Sequence, residues 1–150
     1  MSIKDNSGSN ALFCIVGIVV VIIIVLGVIS IFSNQSDVTI DNVNFNMVKG
    51  FKFDAEATKE AENYFKDFRD KGLKFTIKSY TNIDDEEICI IVIDPERFDI
   101  NNVKGVSTSI NGHDGKLSIG KQSVVFWYTS NGKVVSVTAS DTDRLKKVII

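Results

Sequence analysis

The chain has 150 residues, of which 17 are Lys or Arg and 19 are Asp or Glu, and its formal charge is -2 at pH 7. Because neither sign of charge dominates, the composition argues against a nucleic acid as a partner. The length leaves room for one small domain once the apolar segment near the amino terminus is set aside.

Residues 11–32 contain no charged residue and no His, Asn, Gln or Pro. A helix of this length is roughly 33 Å long and can cross a hydrocarbon core of about 30 Å. The run therefore predicts a transmembrane helix in contact with membrane lipid, preceded by a short polar tail over residues 1–10. It is longer than the core of a cleaved signal peptide and has no convincing cleavage site, so we expect it to stay attached. Residues 33–37 would then be a linker and residues 38–150 a folded domain.

The basic residues near the predicted helix indicate its orientation. Lys4 precedes the helix, whereas the first basic residue after it is Lys49. Because cytoplasmic flanks carry the excess of Lys and Arg, we expect a cytoplasmic amino terminus and an exported domain over residues 38–150. The bias rests on one lysine, and an inward-facing domain is the alternative. Asn34, which begins the only Asn-x-Ser/Thr triplet, would lie just outside the membrane.

The first part of the domain shows a hairpin and a helix. Strand-like residues flank Asp41-Asn42, a pair that tolerates the left-handed backbone of a tight turn. Asp54 can cap a helix that ends at Gly72. Apolar residues recur at helical spacing between these two positions, and the helix is expected to bury that face. These residues are Ala57, Ala61, Tyr64, Phe65 and Phe68.

Two strands follow the predicted helix. Residues 73–78 alternate between apolar and polar, which indicates a strand with one solvated face. Residues 88–93 are apolar on both faces, as in a central strand that is covered on both sides. Pro95 ends this second strand. Between Phe98 and Gly105 the pattern favours a loop with some helical turn.

Two hairpins and a short helix complete the domain. Residues 111–115, Asn-Gly-His-Asp-Gly, are predicted to form the turn of the first hairpin. Residues 124–129 and 134–138 flank Asn131-Gly132 and form the second, whose strands should pair at the centre of the sheet. Residues 140–143 resemble a capping box before the terminal helix. The order of elements predicts an α+β fold with a mainly antiparallel sheet and a packed helix, behind an N-terminal transmembrane helix.

Phe126-Trp127-Tyr128 is the one dense aromatic sequence in the domain. In a strand, Phe126 and Tyr128 point to one face and Trp127 points to the other. We expect these rings to pack in the core, because a small domain needs its aromatic side chains inside.

The residues that could carry chemistry are few. Residues 84–87 are four consecutive carboxylates, but consecutive side chains point apart, which favours a solvated turn over a calcium site. His113 is the only histidine and, with Asp114, is interpreted as a turn former. Cys89 lies in an apolar run without a basic neighbour, as a buried structural cysteine would. The sequence therefore assigns no catalytic, cofactor-binding or metal-binding residue.

Two segments carry a family resemblance. Residues 38–46, VTIDNVNFN, are followed by Gly50-Phe51, and residues 130–135 read SNGKVV. Together they resemble small, uncharacterised, single-pass membrane-anchored α+β proteins of methanogenic archaea, although the proline expected near Val48 is absent. The resemblance implies an exported α+β domain on a single anchor, and it brings neither an activity nor a functional residue.

The expected function is binding. We expect a non-enzymatic, membrane-anchored extracytoplasmic domain that binds a protein or a component of the cell envelope. One alternative is an accessory subunit of a membrane complex with an inward-facing domain. Another is a hydrolase that uses scattered carboxylates such as Asp94 and Glu96, which would require a deep pocket with perturbed acids.

Overall fold

A computed structural model describes residues 36–150, so the predicted transmembrane helix over residues 11–32, its flanks and Asn34 lie outside the described residues. Residues 36–150 form one compact unit. Within the described part of the chain, no helix is both long enough and apolar enough to cross a membrane.

The described residues contain nine strands, three α-helices and two short 3₁₀ helices, which confirms the predicted α+β class. In chain order the elements are β1 (Ser36–Ile40), β2 (Val43–Met47), β3 (Lys52–Asp54), α1 (Ala55–Tyr64), α2 (Lys66–Asp70), β4 (Phe75–Thr81), β5 (Glu87–Ile93), the 3₁₀ helices Pro95–Arg97 and Ile100–Asn102, β6 (Val106–Ile110), β7 (His113–Ile119), β8 (Val124–Ser130), β9 (Lys133–Ala139) and α3 (Thr142–Val148).

Seven of the strands form one sheet, in the order β3-β4-β5-β9-β8-β7-β6. Every neighbouring pair in it is antiparallel, as the sequence predicted. The hairpin of β8 and β9 lies in the interior of the sheet, where its long β-branched and aromatic strands were expected. Strands β1 and β2 form a separate two-stranded hairpin.

The predicted hairpin turns have the left-handed backbone that two-residue turns require. Asp41 and Asn42 have φ angles of 47° and 67°, and Asn131 and Gly132 have 49° and 74°. The Asn131 side chain also donates a hydrogen bond of 2.8 Å to the carbonyl oxygen of Asn42, so the tips of these two hairpins are joined.

The first face of the seven-stranded sheet is closed over its central strands, whereas Val106 and Ile119 at its β6–β7 end are exposed. The hairpin of β1 and β2 and helix α3 pack on it, and Phe45 of β2 forms an isolated bridge with Ile149 beyond α3. Large side chains fill the layer between them, and most have almost no exposed surface. They include Phe45, Ile88, Ile90, Phe126, Tyr128, Val135, Val137, Leu145 and Ile149.

The second face is covered by different elements. Helices α1 and α2 lie over β4 and β5, and the apolar cluster beneath them is built on Ile77, Ile91 and Ile93. Residues 95–102, which we call the crossing segment, continue this layer through Phe98 and Ile100. The buried run of β5 faces both layers, which confirms the prediction for residues 88–93.

Helix α1 differs from the prediction. The helix ends at Tyr64 and a second one begins at Lys66, with Phe65 between them, so the single helix predicted up to Gly72 is wrong. Tyr64 is 80% exposed and does not belong to the buried face. Thr58 is the buried residue of α1. Its hydroxyl donates to the Asp54 carbonyl at 2.6 Å and accepts from the Ser79 amide at 2.9 Å, so this buried polar group has its hydrogen-bond partners. The cap is as predicted, since the Asp54 carboxylate accepts from the amides of Glu56 and Ala57.

Two other elements have different boundaries in the structure than the sequence predicted. The turn predicted over residues 111–115 is only Asn111-Gly112, because β7 begins at His113 and continues through Gly115. The cap of α3 is Asp141, whose carboxylate accepts from the Arg144 amide at 2.8 Å, so the predicted box at residues 140–143 is shifted by one residue.

Candidate binding surface

The second face changes from apolar to polar across the sheet. One row of directly paired residues runs from strand β4 to strand β6, and its members are Ile77, Ile91, Ser136, Trp127, Lys116 and Ser107. Ile77 and Ile91 are buried under the helices, whereas Lys116 is half-buried and Ser107 is exposed. The apolar core on this face therefore ends between β9 and β6.

An open recess of about 550 Å³ lies at the polar end of this row. We call it the polar recess. Strands β6, β7 and β8 form its floor, and the end of the crossing segment forms one rim. Its lining residues are Ile100, Asn101, Ser107, Thr108, Ser109, Asp114, Gly115, Lys116 and Thr129.

The β6–β7 hairpin places these side chains. The two-residue turn at Asn111-Gly112 sets the register, in which Ser109 pairs with Asp114 and Ser107 with Lys116. Because side chains alternate between the two faces of a strand, all four of these polar side chains project from the second face. Lys116 donates a hydrogen bond of 3.0 Å from Nζ to the Ser107 hydroxyl, which aligns the ammonium group along the recess.

The crossing segment separates the polar recess from an apolar one. Phe98 stacks on Trp127, with ring centroids 5.4 Å apart and an angle of 14° between the ring planes. This stack confirms the predicted division of the aromatic sequence, since Phe126 and Tyr128 are buried on the first face and Trp127 lies on the second.

On the helix side of the crossing segment lies a recess of about 190 Å³ without polar lining, which we call the apolar recess. Arg69 lies over the Phe75 ring, with its guanidinium carbon 4.7 Å from the ring centroid. Phe68, at the mouth, is 50% exposed. The lining residues are Phe65, Phe68, Leu73, Phe75, Ile91, Ile93, Phe98 and Trp127.

The polar recess has the chemistry of a hydrogen-bonding site. It presents one carboxylate, one ammonium group, one amide and several hydroxyls, so the formal charges of Asp114 and Lys116 cancel. A neutral ligand with many hydroxyl groups can use both donors and acceptors there without leaving a charge unpaired. The chemistry favours a polar, uncharged ligand over an anion or a cation.

Of the residues that the sequence offered for chemistry, Asp114 lines this recess, and the others lie elsewhere. The imidazole of His113 packs on the Tyr128 ring at a centroid distance of 4.7 Å, and its Nε2 lies 3.0 Å from the Ile150 carbonyl oxygen. Asp94 pairs with Lys133, with Nζ and Oδ2 3.9 Å apart, and Glu96 is exposed in the 3₁₀ helix. Asp94 and Lys133 border a different recess, of about 360 Å³, whose lining does not include Glu96.

The acidic residues 84–87 lie in the connection from β4 to β5 and at the start of β5, and Asp85, Glu86 and Glu87 border an open recess of about 390 Å³. The side-chain oxygen of Asn82 accepts from the amides of Asp84 and Glu86, and Glu86 is held by Arg144, with Nη1 and Oε1 2.5 Å apart. Among the residues that the structure describes, no three His, Cys, Asp or Glu side chains are grouped so as to hold a metal ion. Burial raises the pKa of the Cys89 thiol to about 11.

Ser107, Ser109 and Lys116 were not predicted from the sequence as site residues. Short polar strands near a turn are common in any antiparallel sheet, so composition gives no sign that these side chains face a recess. The available signal was the alternation of β6, in which serines occupy every second position. No family model, curated protein or solved structure matches the chain.

Proposed function

We propose that this chain is a non-enzymatic, membrane-anchored binding domain that lies outside the cell membrane and binds a hydroxyl-rich glycan of the cell envelope in the polar recess. Residues 11–32 are the proposed anchor, in contact with membrane lipid. The same proposal includes the resemblance to small membrane-anchored proteins of methanogenic archaea.

The observation that supports a binding role is the polar half of the second face. Ser107, Ser109 and Asp114 are exposed on strands that pair with full register, so the backbone holds their side chains in fixed positions. No described element covers them, although the same face is packed under helices at its other end. A rigid row of uncovered polar groups is a surface on which a polymer can make repeated hydrogen bonds.

A glycan fits this row better than other envelope components. Sugar hydroxyls both donate and accept, as do the Ser107, Ser109 and Thr129 hydroxyls, and Asp114 and Lys116 supply a strong acceptor and a strong donor. Ile100 at the rim offers apolar surface to the C–H groups of a sugar ring.

Sedimentation with isolated envelopes of the producing cells tests the proposal. The full chain in detergent is mixed with envelopes from which its own gene product is absent, and the bound fraction is measured. We expect Lys116→Ala to lower the bound fraction several-fold. Lys52→Ala is the matched control, because Lys52 is also on the sheet but on the opposite edge strand and is exposed.

Treatment of the envelopes identifies the class of ligand. Periodate, which cleaves sugar diols, should abolish binding, whereas exhaustive proteolysis should leave it unchanged. Binding that survives periodate and is lost on proteolysis would show that the partner is a protein. Equal binding by the Lys116→Ala and Lys52→Ala variants would show that the polar recess is not the site.

The orientation is tested separately. Two reporters are fused in turn after Ile150, one that is active only outside the cytoplasm and one that is active only inside it. We expect activity from the first reporter alone. Sequencing of the amino terminus should show that the mature chain still begins near Met1. Activity from the second reporter alone would favour the accessory-subunit alternative with an inward-facing domain.

A further inference from the structure

The seven-stranded sheet has two edges that differ in character. Strand β3 is three residues long, contains Lys52 and leads directly into α1, and such short, charged strands discourage pairing with another chain. Strand β6 is five residues long, Val-Ser-Thr-Ser-Ile, and contains neither a charge nor a proline. It lacks the features that usually protect an edge strand.

The turn that precedes β7 determines which backbone groups of β6 are free. Because Asn111-Gly112 is a two-residue turn, Ile110 and His113 form the hydrogen-bonded pair that closes it. Hydrogen-bonded and non-bonded pairs alternate along an antiparallel ladder, so Thr108 bonds to β7 as well. The N–H and C=O groups of Ser107 and Ser109 therefore point away from the sheet, and both residues are exposed.

We propose that a second copy of this chain pairs its β6 antiparallel to this edge, about a twofold axis at Thr108. Ser107 of one copy then lies opposite Ser109 of the other, and the two residues with outward-pointing backbone groups meet. The pairing forms about four backbone hydrogen bonds across the axis. It joins two seven-stranded sheets into one.

The side chains agree with this register. Pairing about Thr108 places serine opposite serine on the second face, and Val106 opposite Ile110 on the first face. Val106 is 73% exposed in one copy, so the second copy gives it an apolar neighbour. In this one register the outward-pointing backbone groups meet, the serines share one face and the apolar side chains share the other. Such a self-complementary register favours a second copy over an unrelated extended segment.

The pairing has a consequence for the polar recess. Ser107, Thr108 and Ser109 line that recess at the edge of the sheet. In the pair, two recesses meet across the twofold axis and form one polar surface of twice the length. The inference does not depend on the glycan proposal, because the edge can pair whatever the recess binds.

Cysteine crosslinking tests the pairing in membranes that contain the full chain. Thr108 faces its own counterpart as a non-hydrogen-bonded pair, with Cα atoms about 4.5 Å apart, which a disulfide can bridge. In a chain that carries Cys14→Ser, we expect Thr108→Cys to give a disulfide-linked dimer on mild oxidation. The Cys14→Ser chain alone, which keeps the half-buried Cys89, should stay monomeric.

Two neighbouring positions provide the register control. Ser107→Cys should not crosslink to itself, because two copies of residue 107 are about 8 Å apart at Cα, beyond the reach of a disulfide. A mixture of Ser107→Cys and Ser109→Cys chains should form a heterodimer. This mixed pair also tests the inference if the Thr108→Cys chain is poorly folded.

A proline variant separates pairing from folding. Ser109→Pro removes a backbone donor that points outward and leaves the β6–β7 ladder intact. We expect it to abolish the Thr108→Cys dimer without changing the melting temperature by more than a few degrees. The inference is overturned if the Thr108→Cys chain gives no dimer, if Ser107→Cys crosslinks equally well, or if Thr108→Cys captures a different protein in place of its own copy.

Discussion

The two faces of the seven-stranded sheet are built from the same strands but are covered to different extents. On the first face, a hairpin from the start of the domain and a helix from its end close the layer over the central strands, and only its β6–β7 end leaves apolar residues such as Val106 and Ile119 exposed. On the second face, helices cover β4 and β5 and the cover stops at the crossing segment. The packing of one face therefore stabilises this fold, and none of the described elements covers the polar end of the other face.

The closed face depends on contacts between distant parts of the chain. Phe45 near the start bridges to Ile149 near the end, and the Asn111 side chain donates to the carbonyls of Lys146 and Ile149 at 2.6 and 2.7 Å. These contacts place both termini of the domain in one layer. Changes there should therefore cost the most stability.

Phe45→Ala should have the largest effect. The ring is fully buried between β2 and the first face of the sheet, and its removal leaves a cavity that rigid neighbouring strands cannot fill. We expect a loss of about 3–5 kcal/mol in the free energy of unfolding. Urea denaturation of the detergent-solubilised chain, followed by Trp127 fluorescence, measures it. A loss below 1 kcal/mol would show that the hairpin of β1 and β2 is a dispensable cover.

Gly115→Ala should be the next largest. A Cβ atom at this position would meet the backbone oxygen of Trp127 and would lie 2.7 Å from the Phe126 ring, so the first face must shift. We expect a loss of about 1–3 kcal/mol in unfolding free energy. Gly115 was predicted to lie in a turn, but it lies within strand β7. The register between β7 and β8 explains why glycine is needed at this position.

The two faces also differ in how much of each could be predicted from the sequence. Strands β5, β8 and β9 carry continuous apolar or β-branched runs, and the hairpins at Asp41-Asn42 and Asn131-Gly132 have turn residues of high specificity, so these were predicted, whereas the three-residue β3 was not. The α+β class followed from their order. Local patterns determine these features, and local patterns are what a single sequence shows.

The polar recess depends on long-range pairing and could not be predicted. Ser107 faces Lys116 because of the turn between them, but Trp127 reaches the same row only through the β7–β8 pairing. The exposure of Tyr64 was missed for a similar reason. Helical spacing shows which residues share a face, and only the position of the helix on the sheet decides how much of that face is covered.

Gly132→Val tests whether the tip of the central hairpin serves only the fold. Gly132 has a φ of 74° and no atom would lie within 4 Å of an added Cβ, so the cost is backbone strain alone. We expect a loss of roughly 1 kcal/mol or more in the free energy of unfolding. Envelope binding by the folded fraction should be unchanged. An unchanged melting temperature together with abolished binding would make this turn part of the functional surface.

The cover of the closed face should also loosen in acid. Arg144, in the first turn of α3, and Asn82 hydrogen-bond to Glu86 and hold the pKa of that carboxyl below its ordinary value of 4.5. Because the folded-state pKa is the lower one, the stabilisation is complete above pH 4.5 and is lost as pH falls through the folded-state pKa. Melting temperatures between pH 7 and pH 3 should therefore fall less in Glu86→Gln than in the unsubstituted chain. Parallel curves for the two chains would contradict the assignment.

Ser109→Ala should have the smallest effect on stability. Substitution of Ile110, the next residue in the same strand, is the matched comparison. Ser109 is exposed on the second face, whereas Ile110, the next residue, is 4% exposed on the first. Removal of the Ser109 hydroxyl deletes no packed atom, so we expect a change within about 0.5 kcal/mol. Ile110→Ala should cost about 2 kcal/mol or more, because a buried side chain is truncated. Urea denaturation of both variants compares the two faces directly. A loss of more than 1 kcal/mol in Ser109→Ala would show that the polar end of the second face supports the fold and is not free for a ligand.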